Sequence, residues 1–272
     1  MPDFTTSDGL RLHYTDRGTG QPILCLSGLT RNATDFDYVA PHQSDARLIA
    51  LDYRGRGQSD WADPASYTIP VEARDVVELL DHLELQRAPI LGTSRGGLIA
   101  MMLCATAKDR VAGVCLNDIG PEIAPEGIAA IMAYIGRNPV QKTHAEAAAM
   151  RAELMAGFAN VPHARWVDEV EKHYRQTDEG LVINYDPGLA DTVRAGGAQP
   201  APDLWPLFDA MDGLPLACIR GANSNLLAPA TLAEMRRRRP DMIVAEVPDR
   251  GHVPFLDEPQ ALAAIAAWRA LL

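Results

Sequence analysis

The sequence lacks the features of a membrane-spanning, secreted or nucleic-acid-binding protein. It contains no apolar run of the roughly 18 residues needed to cross a bilayer. Its first residues contain neither the basic stretch nor the apolar segment of a secretory signal, which predicts a cytoplasmic location. Basic residues are the minority, with 25 Lys and Arg against 36 Asp and Glu. The resulting net charge of -11 argues against nucleic acids or membrane surfaces as partners.

The sequence is also poor in groups that hold metals or cofactors. Its few cysteines are scattered, each within an apolar segment, and no two have the spacing of metal ligands. Buried reduced thiols are therefore expected at Cys25, Cys104, Cys115 and Cys218. The sequence has no glycine-rich phosphate loop. We therefore expect no metal and no organic cofactor, and a small molecule is the expected partner.

The order of apolar and amphipathic segments predicts an α/β fold. The chain has 272 residues, of which 47% are hydrophobic, as expected for one α/β unit. Short apolar runs typical of buried parallel strands occur at Pro22–Leu26, Arg47–Leu51, Ala88–Leu91 and Val111–Leu116. Between the second and third runs, residues 71–83 have apolar side chains at helical spacing. This alternation predicts a mostly parallel sheet covered by helices on both faces.

The pattern changes between the two halves of this predicted sheet. From Pro121 to about Asp212 the sequence has alanine-rich helical segments without clear strands between them. The strand pattern returns at Leu214–Ile219 and again at Met242–Val247. We therefore predict a core formed by residues 1–120 and 213–272, with residues 121–212 inserted as a helical cap.

A Gly-x-Ser-x-Gly motif predicts a nucleophilic serine. Gly92, Ser94 and Gly96 lie between an apolar run and a segment with the composition of a helix. A tight turn from strand to helix brings the backbone so close that side chains at the two glycine positions would collide. Ser94 would project from this turn, and the backbone N–H of Arg95 would point towards a developing oxyanion.

Two more positions complete a candidate catalytic site. His252 lies in a loop after the last predicted strand, where a serine of this type requires its base. Leu29 follows the run Pro22–Leu26 directly after Ser27-Gly28, so its backbone N–H is the expected second oxyanion donor. The other six histidines have no such position and are interpreted as structural or surface residues.

The chain resembles the α/β-hydrolase family over essentially its whole length. The motifs that carry this resemblance are Ser27-Gly28-Leu29, Asp52-x-Arg-Gly-x-Gly-x-Ser-Asp60, Gly92-x-Ser94-x-Gly96-Gly97, Arg220-Gly221-x-x-Ser224 and Gly251-His252-x-Pro254-x-Leu256-Asp257-x-Pro259. The resemblance implies an α/β-hydrolase fold similar to that of small esterases, lactonases and C–C hydrolases with a helical cap. A serine nucleophile, where some relatives use aspartate, argues against epoxide hydrolase or haloalkane dehalogenase chemistry.

The sequence departs from the family pattern at the catalytic acid. The family has aspartate after Gly-x-x-Ser, whereas this chain has Asn225. An amide can bond the imidazole but offers no charge to the imidazolium. Three interpretations are open: a hydrolase deliberately weakened to hold its substrate, a natural enzyme whose acid is Asp118 at the end of the preceding strand, or a binder without catalysis.

The function expected from these residues is hydrolysis of a small ester or lactone through an acyl-enzyme. Ser94 would attack the acyl carbon and His252 would transfer the proton. The alternatives are cofactor-free C–C bond hydrolysis on the same serine and a non-catalytic ligand receptor. The expected pocket lies between cap and sheet, with lining residues drawn from Trp61, Met132, Tyr134, Phe158, Trp166 and Tyr185.

Overall fold

The fold was analysed in a computed structural model that describes residues 2–155, 157–197 and 202–272. The predicted cap range, 121–212, includes residues 156 and 198–201, which lie outside the described residues. The strands are β1 (Asp3–Thr5), β2 (Arg11–Gly18), β3 (Gln21–Leu26), β4 (Ala46–Leu51), β5 (Ala88–Thr93), β6 (Val111–Asn117), β7 (Tyr174–Thr177), β8 (Gly180–Ile183), β9 (Leu216–Gly221) and β10 (Ile243–Val247).

The α-helices alternate with the strands from β4 to β6 and again from β9 onwards. They are α1 (Ile69–His82), α2 (Arg95–Thr106), α3 (Pro125–Tyr134), α4 (His144–Leu154), α5 (His163–His173), α6 (Leu189–Gly197), α7 (Trp205–Asp209), α8 (Pro229–Arg238) and α9 (Pro259–Arg269). Several begin with proline in the first turn, where the missing N–H costs no hydrogen bond because the first N–H groups of a helix have no partner within it. Among the described residues, no helix is both long and apolar enough to cross a membrane.

Eight of the strands described form one sheet in the order β1-β2-β4-β3-β5-β6-β9-β10. β2 is antiparallel to β4, and the pairs from β4 to β10 are parallel. The prediction of a mostly parallel sheet is confirmed. From β3 the chain first adds β4 on one side and then β5 on the other. The carboxyl ends of β3 and β5 therefore border the crevice where ligands bind in open α/β sheets.

The central strands are buried on both faces, which explains their continuous apolar runs. In β3, Leu24 and Leu26 pack into the core under α1 and α2. Ile23 and Cys25 point to the opposite face, where they share a cluster with side chains of α9 that includes Trp268. Helices thus cover both faces of the sheet, and this packing supports the strands whose carboxyl ends border the crevice.

The chain between β6 and β9 forms α3–α7 and a small antiparallel hairpin of β7 and β8. The expectation of a segment without strands was wrong at this hairpin. Helix α5 ends at His173, and the next residue begins β7. The turn between β7 and β8 uses Gly180 at φ +135°, a conformation that side chains rarely adopt.

Candidate active site

Ser94 lies in a strained turn between β5 and α2. Its backbone has φ 50° and ψ −114°, which is unfavourable for a residue with a side chain. A Cβ atom at Gly92 would lie 2.7 Å from the backbone of Gly96, and a Cβ at Gly96 would lie 2.1 Å from the carbonyl oxygen of Leu26. Glycine at these two positions lets β5, the turn and β3 approach closely enough to present the serine at the sheet edge.

Ser94, His252 and Asp118 form a continuous chain of polar contacts. His252 Nε2 lies 3.0 Å from Ser94 Oγ, and His252 Nδ1 lies 2.7 Å from Asp118 Oδ2. The Asp118 side chain is fully buried, whereas the His252 side chain keeps 18% of its surface exposed. This is the geometry of a serine, its base and the carboxylate that orients the base.

The carboxylate of Asp118 is held by donors from the neighbouring strand end. The backbone N–H of Gly221 donates to its Oδ1 over 2.8 Å, and the hydroxyl of Ser224 donates to its Oδ2 over 2.6 Å. Asp118 itself has φ 56° directly after β6. Because β6 pairs with β9 in the sheet, the two strand ends lie side by side. The end of β9 and the loop after it therefore contribute donors, while the carboxylate that contacts His252 follows β6.

The prediction that residue 225 occupies the acid position is corrected by this geometry. The side chain of Asn225 is exposed, and His252 Nδ1 contacts the carboxylate of Asp118 instead. In the same loop Ser224 turns inward, and its hydroxyl also accepts the N–H groups of Leu226 and Leu227. This inward turn of Ser224 leaves Asn225 facing solvent.

Two backbone N–H groups beside Ser94 are available to an oxyanion. Arg95 begins α2, and the first N–H groups of a helix have no partner within it. Among the hydrogen bonds of the described residues, neither the N–H of Arg95 nor that of Leu29 has a protein acceptor. A direct bond from Gly96 N–H to the carbonyl of Ser27, 3.1 Å long, joins the two loops that carry these donors.

The predicted pocket residues fall into three groups. Met132 and Tyr185 belong to a cluster against which Leu29 packs. Phe158 and Trp166 pack against Phe255, three residues after His252. These two groups therefore lie against the loops that carry Leu29 and His252. The third group is largely exposed, with Trp61 at 58% and Tyr134 at 48% of its surface.

An ionic cluster, which sequence reasoning missed, connects α5 to the loop after β3. Its centre is Arg31, which contacts Asp35 at 2.7 Å and Glu169 at 3.1 Å. His173 lies 3.4 Å from Asp35, and Arg151 donates to the other ring nitrogen of His173 over 3.0 Å. Burial and the nearby Arg31 lower the pKa of His173 to about 4, so this histidine is neutral at pH 7. The cluster fixes the chain between β6 and β9 to the loop beside Ser94.

The four cysteines are free and buried, and burial raises the pKa of each thiol, for Cys25, Cys104, Cys115 and Cys218. A buried thiol of raised pKa is a poor nucleophile. In the part of the chain that the structure describes, no group of three or more His, Cys, Asp or Glu residues is arranged to hold a metal.

Sequence reasoning also missed Gly221 and Ser224 as partners of Asp118. Both lie in the motif Arg220-Gly221-x-x-Ser224, but the motif alone does not indicate which of its groups turn inward. A signal was present in Asp118, a carboxylate at the predicted end of a central strand. The ionic cluster had no comparable signal because the pairs that join its two parts, Arg31 with Glu169 and Asp35 with His173, are each 138 positions apart in the sequence.

Comparison with known proteins places these observations in a family. The family model described as alpha/beta hydrolase fold matches residues 21–259. The 3-hydroxybutyrate-oligomer hydrolase of Cupriavidus necator is 36% identical over 265 residues, covering 92% of this chain and 88% of that protein. The 2-(acetamidomethylene)succinate hydrolase of Mesorhizobium japonicum is 29% identical, covering 89% and 85% of the two chains.

A solved structure has nearly the same architecture. The crystal structure of an alpha/beta hydrolase from Novosphingobium aromaticivorans matches 100% of this chain and 98% of its own, with a TM-score of 0.92 and 36% identity. The similarity therefore covers the sheet, the helices and the segment between β6 and β9.

Proposed function

Because the chain belongs to the α/β-hydrolase family, we propose that it is a serine hydrolase of small carboxylic esters acting through an acyl-enzyme. The observation that carries this proposal is the contact chain from Ser94 through His252 to Asp118. In this proposal the segment over 121–212 serves as a cap that covers the crevice.

The proposed reaction proceeds in two steps. His252 Nε2 takes the hydroxyl proton of Ser94 while Oγ attacks the ester carbonyl, and the electron pair moves onto the carbonyl oxygen. The N–H groups of Leu29 and Arg95 would stabilise this oxyanion. The imidazolium then protonates the leaving alcohol. Water, deprotonated by His252, hydrolyses the acyl-enzyme and restores the serine.

Asp118 is the proposed acid of this site. Its buried carboxylate would keep the Nδ1–H tautomer of His252 and stabilise the imidazolium. The backbone N–H of Gly221 and the hydroxyl of Ser224 hold this carboxylate in place because both donate to its oxygens. Of the three interpretations of residue 225, the geometry supports the natural enzyme with Asp118 as its acid.

The proposed substrate class is the ester bond of short 3-hydroxy-acid oligomers. The support is the identity of 36%, over nine-tenths of this chain, with a protein named for hydrolysing 3-hydroxybutyrate oligomers. Simple lactones and p-nitrophenyl esters present the same carbonyl to Ser94 and are the secondary substrates expected.

A second candidate, hydrolysis of an amide C–N bond, is favoured by one comparison. The match to a hydrolase named for 2-(acetamidomethylene)succinate, which contains an amide and no ester, covers 89% of this chain. The same serine, histidine and oxyanion donors would serve such a reaction. The two candidates differ in substrate, so assay with an ester separates them.

The test is hydrolysis of the 3-hydroxybutyrate dimer and trimer, followed as released monomer, with p-nitrophenyl butyrate as a second substrate. The expected result is turnover of both kinds of ester by the native chain and loss of turnover by at least about 10⁴-fold in Ser94→Ala. Turnover of p-nitrophenyl butyrate alone would limit the proposal to simple esters. Inactivity on every ester, or a fully active Ser94→Ala, would overturn it.

A further inference from the structure

Three largely buried charged side chains connect the loop that carries Leu29 with the start of α2, which carries Arg95. Glu72 of α1 contacts both arginines: its Oε1 lies at ion-pair distance, 2.8 Å, from Arg56 Nη1 without a hydrogen bond, and its Oε2 accepts from Arg95 Nε over 2.6 Å. The Glu72 and Arg56 side chains are 0% and 1% exposed, and that of Arg95 is 12% exposed. We call these three residues the arginine bridge.

Each arginine of the bridge is connected to one oxyanion donor. Arg56 Nε donates over 3.0 Å to the carbonyl oxygen of Leu29, whose own N–H faces the reacting carbonyl in the proposed mechanism. Arg95 carries the second N–H on its own backbone, and its side chain is fixed by Glu72 and by the carbonyl oxygen of Tyr67 at 2.9 Å. A single carboxylate thus links the segments that hold both donors.

The surroundings of Arg56 leave it little freedom. Its guanidinium lies 5.6 Å from the ring centre of Tyr53 and 5.3 Å from that of Tyr67, and its Nη1 donates to the carbonyl of Arg54 over 2.6 Å. A Cβ at Gly55 would lie 2.6 Å from the Tyr67 ring, so glycine is required for this packing. The aromatic pair and the carbonyls hold the guanidinium in one orientation.

The bridge also carries an excess of positive charge. Two guanidinium groups face one carboxylate, and within the described residues Arg56 Nη2 has no hydrogen-bond partner. Burial lowers the pKa of Arg56. Keeping this cation buried is unfavourable for stability on its own. A fixed cation in a poorly hydrated region stabilises negative charge that develops nearby.

We propose that Glu72 and Arg56 are positioning residues that fix the two oxyanion donors and favour the charged tetrahedral intermediate. This inference rests on the proposed ester hydrolysis, in which the attack of Ser94 on the carbonyl generates the oxyanion that the two donors would bind. Neither side chain is expected to touch the substrate; they act through Leu29 and Arg95.

The chain offers a matched control on the same helix. Asp75 of α1 is also buried and also paired with an arginine, accepting from Arg54 Nε and Nη2 over 2.7 Å each. Among the hydrogen bonds and ion pairs of the described residues, neither side chain of this pair contacts Leu29 or Arg95, although the backbone carbonyl of Arg54 accepts from Arg56 Nη1. Asp75→Asn therefore reproduces the loss of a buried carboxylate of α1 while keeping all three side chains of the bridge.

The experiment compares Glu72→Gln with Asp75→Asn in steady-state hydrolysis of p-nitrophenyl butyrate. Glutamine keeps the shape of Glu72 but loses its charge and can accept from only one arginine well. The expected result for Glu72→Gln is a decrease in kcat of roughly 10- to 100-fold with KM changed less than about threefold. Asp75→Asn is expected to keep kcat within about threefold.

A second readout measures stabilisation of the oxyanion directly. Ser94 Oγ adds to the carbonyl carbon of an aryl trifluoromethyl ketone, its proton passes to His252, and the carbonyl oxygen becomes the anion of a hemiketal. The affinity for this inhibitor is expected to fall in Glu72→Gln by a factor similar to that in kcat/KM. The affinity for uncharged substrate is expected to be the same in Ser94→Ala and in the double variant Ser94→Ala with Glu72→Gln.

Arg56→Lys tests the bridge if Glu72→Gln does not fold, because it keeps a cation but loses the donor to Leu29. A decrease of roughly tenfold in kcat with a parallel loss of inhibitor affinity supports the proposal. Native kcat and inhibitor affinity in the folded variants, or equal losses in Asp75→Asn, would overturn it. Failure of the proposed function itself would be seen separately, as an active Ser94→Ala.

Discussion

The ends of β6 and β9 lie side by side, yet their polar residues have opposite environments. Asp118 after β6 is fully buried and contacts His252, Gly221 and Ser224. Asn225 in the loop after β9 is exposed. The same loop thus provides donors to the carboxylate without providing the carboxylate itself.

Under the proposed mechanism, this difference means that the acid comes from the strand beside the one that the family pattern uses, while the carboxylate still contacts His252. The imidazole needs a carboxylate at one point in space, and two adjacent strand ends can reach that point. A position along the chain identifies the loop, but the direction of each side chain is set by the turn. Here the inward hydroxyl of Ser224 leaves residue 225 outward.

The largest effect is expected from Asp118→Asn. The amide loses the charge that stabilises the imidazolium and can hold the wrong tautomer of His252. The same change in the triad of a serine protease lowers kcat by about 10⁴-fold. We expect a decrease of similar order in kcat for p-nitrophenyl butyrate, with a native circular dichroism spectrum. A decrease of less than tenfold would mean that Asp118 is not the acid.

The next largest effect is expected on stability, at His173. Its side chain is 8% exposed, whereas that of His252 is 18% exposed. Because the pKa of His173 is lowered to about 4 from 6.5, the unfolded chain binds its proton first as the pH falls. The folded state should therefore lose about 2 kcal/mol of stability between pH 7 and pH 5 from this residue. Urea unfolding should show that His173→Gln removes this pH dependence. An unchanged slope would contradict the assignment.

A smaller effect is expected at Ser224. Ser224→Ala removes one donor from the buried carboxylate, at a cost of about 1–2 kcal/mol. We expect a decrease of roughly tenfold in kcat with little change in KM, measured on the same ester. Ser224→Thr keeps the hydroxyl and serves as the control. Equal kcat in the alanine and threonine variants would show that this hydrogen bond does not support the acid.

The smallest effect is expected from Asn225→Asp, which places a carboxylate at the position of the family pattern. Because residue 225 is exposed, the new charge should remain in water and leave kcat within about twofold of the native value. A gain of 100-fold or more in the burst and steady-state rates would revive the interpretation of a weakened hydrolase.

Much of the fold and part of the site follow from local sequence. The burial of β3 and β5 on both faces required continuous apolar runs, and the turn at Ser94 required glycine, so both could be predicted. The family assignment and the fold class are confirmed. The hairpin of β7 and β8 is short and half-exposed, and its residues Tyr174–Thr177 continue the polar character of α5, so no periodicity separated them.

The remaining parts of the site depend on tertiary contacts. The choice between Asp118 and residue 225 depends on the direction of side chains in two turns. The arginine bridge joins Glu72 to Arg56 and Arg95, and a sequence pattern does not report such pairing. Composition shows that acidic residues outnumber basic ones. It does not show that the side chains of Arg56 and Arg95, 1% and 12% exposed, lie beside the proposed oxyanion donors.

The most direct test of the central claim is the kcat of a variant in which the two positions exchange residues, Asp118→Asn with Asn225→Asp. Both single variants and the native chain are assayed beside it with p-nitrophenyl butyrate. If Asp118 is the acid, the double variant stays as inactive as Asp118→Asn alone, because the exposed carboxylate does not reach His252. Recovery of kcat in the double variant to within tenfold of the native chain would contradict this account.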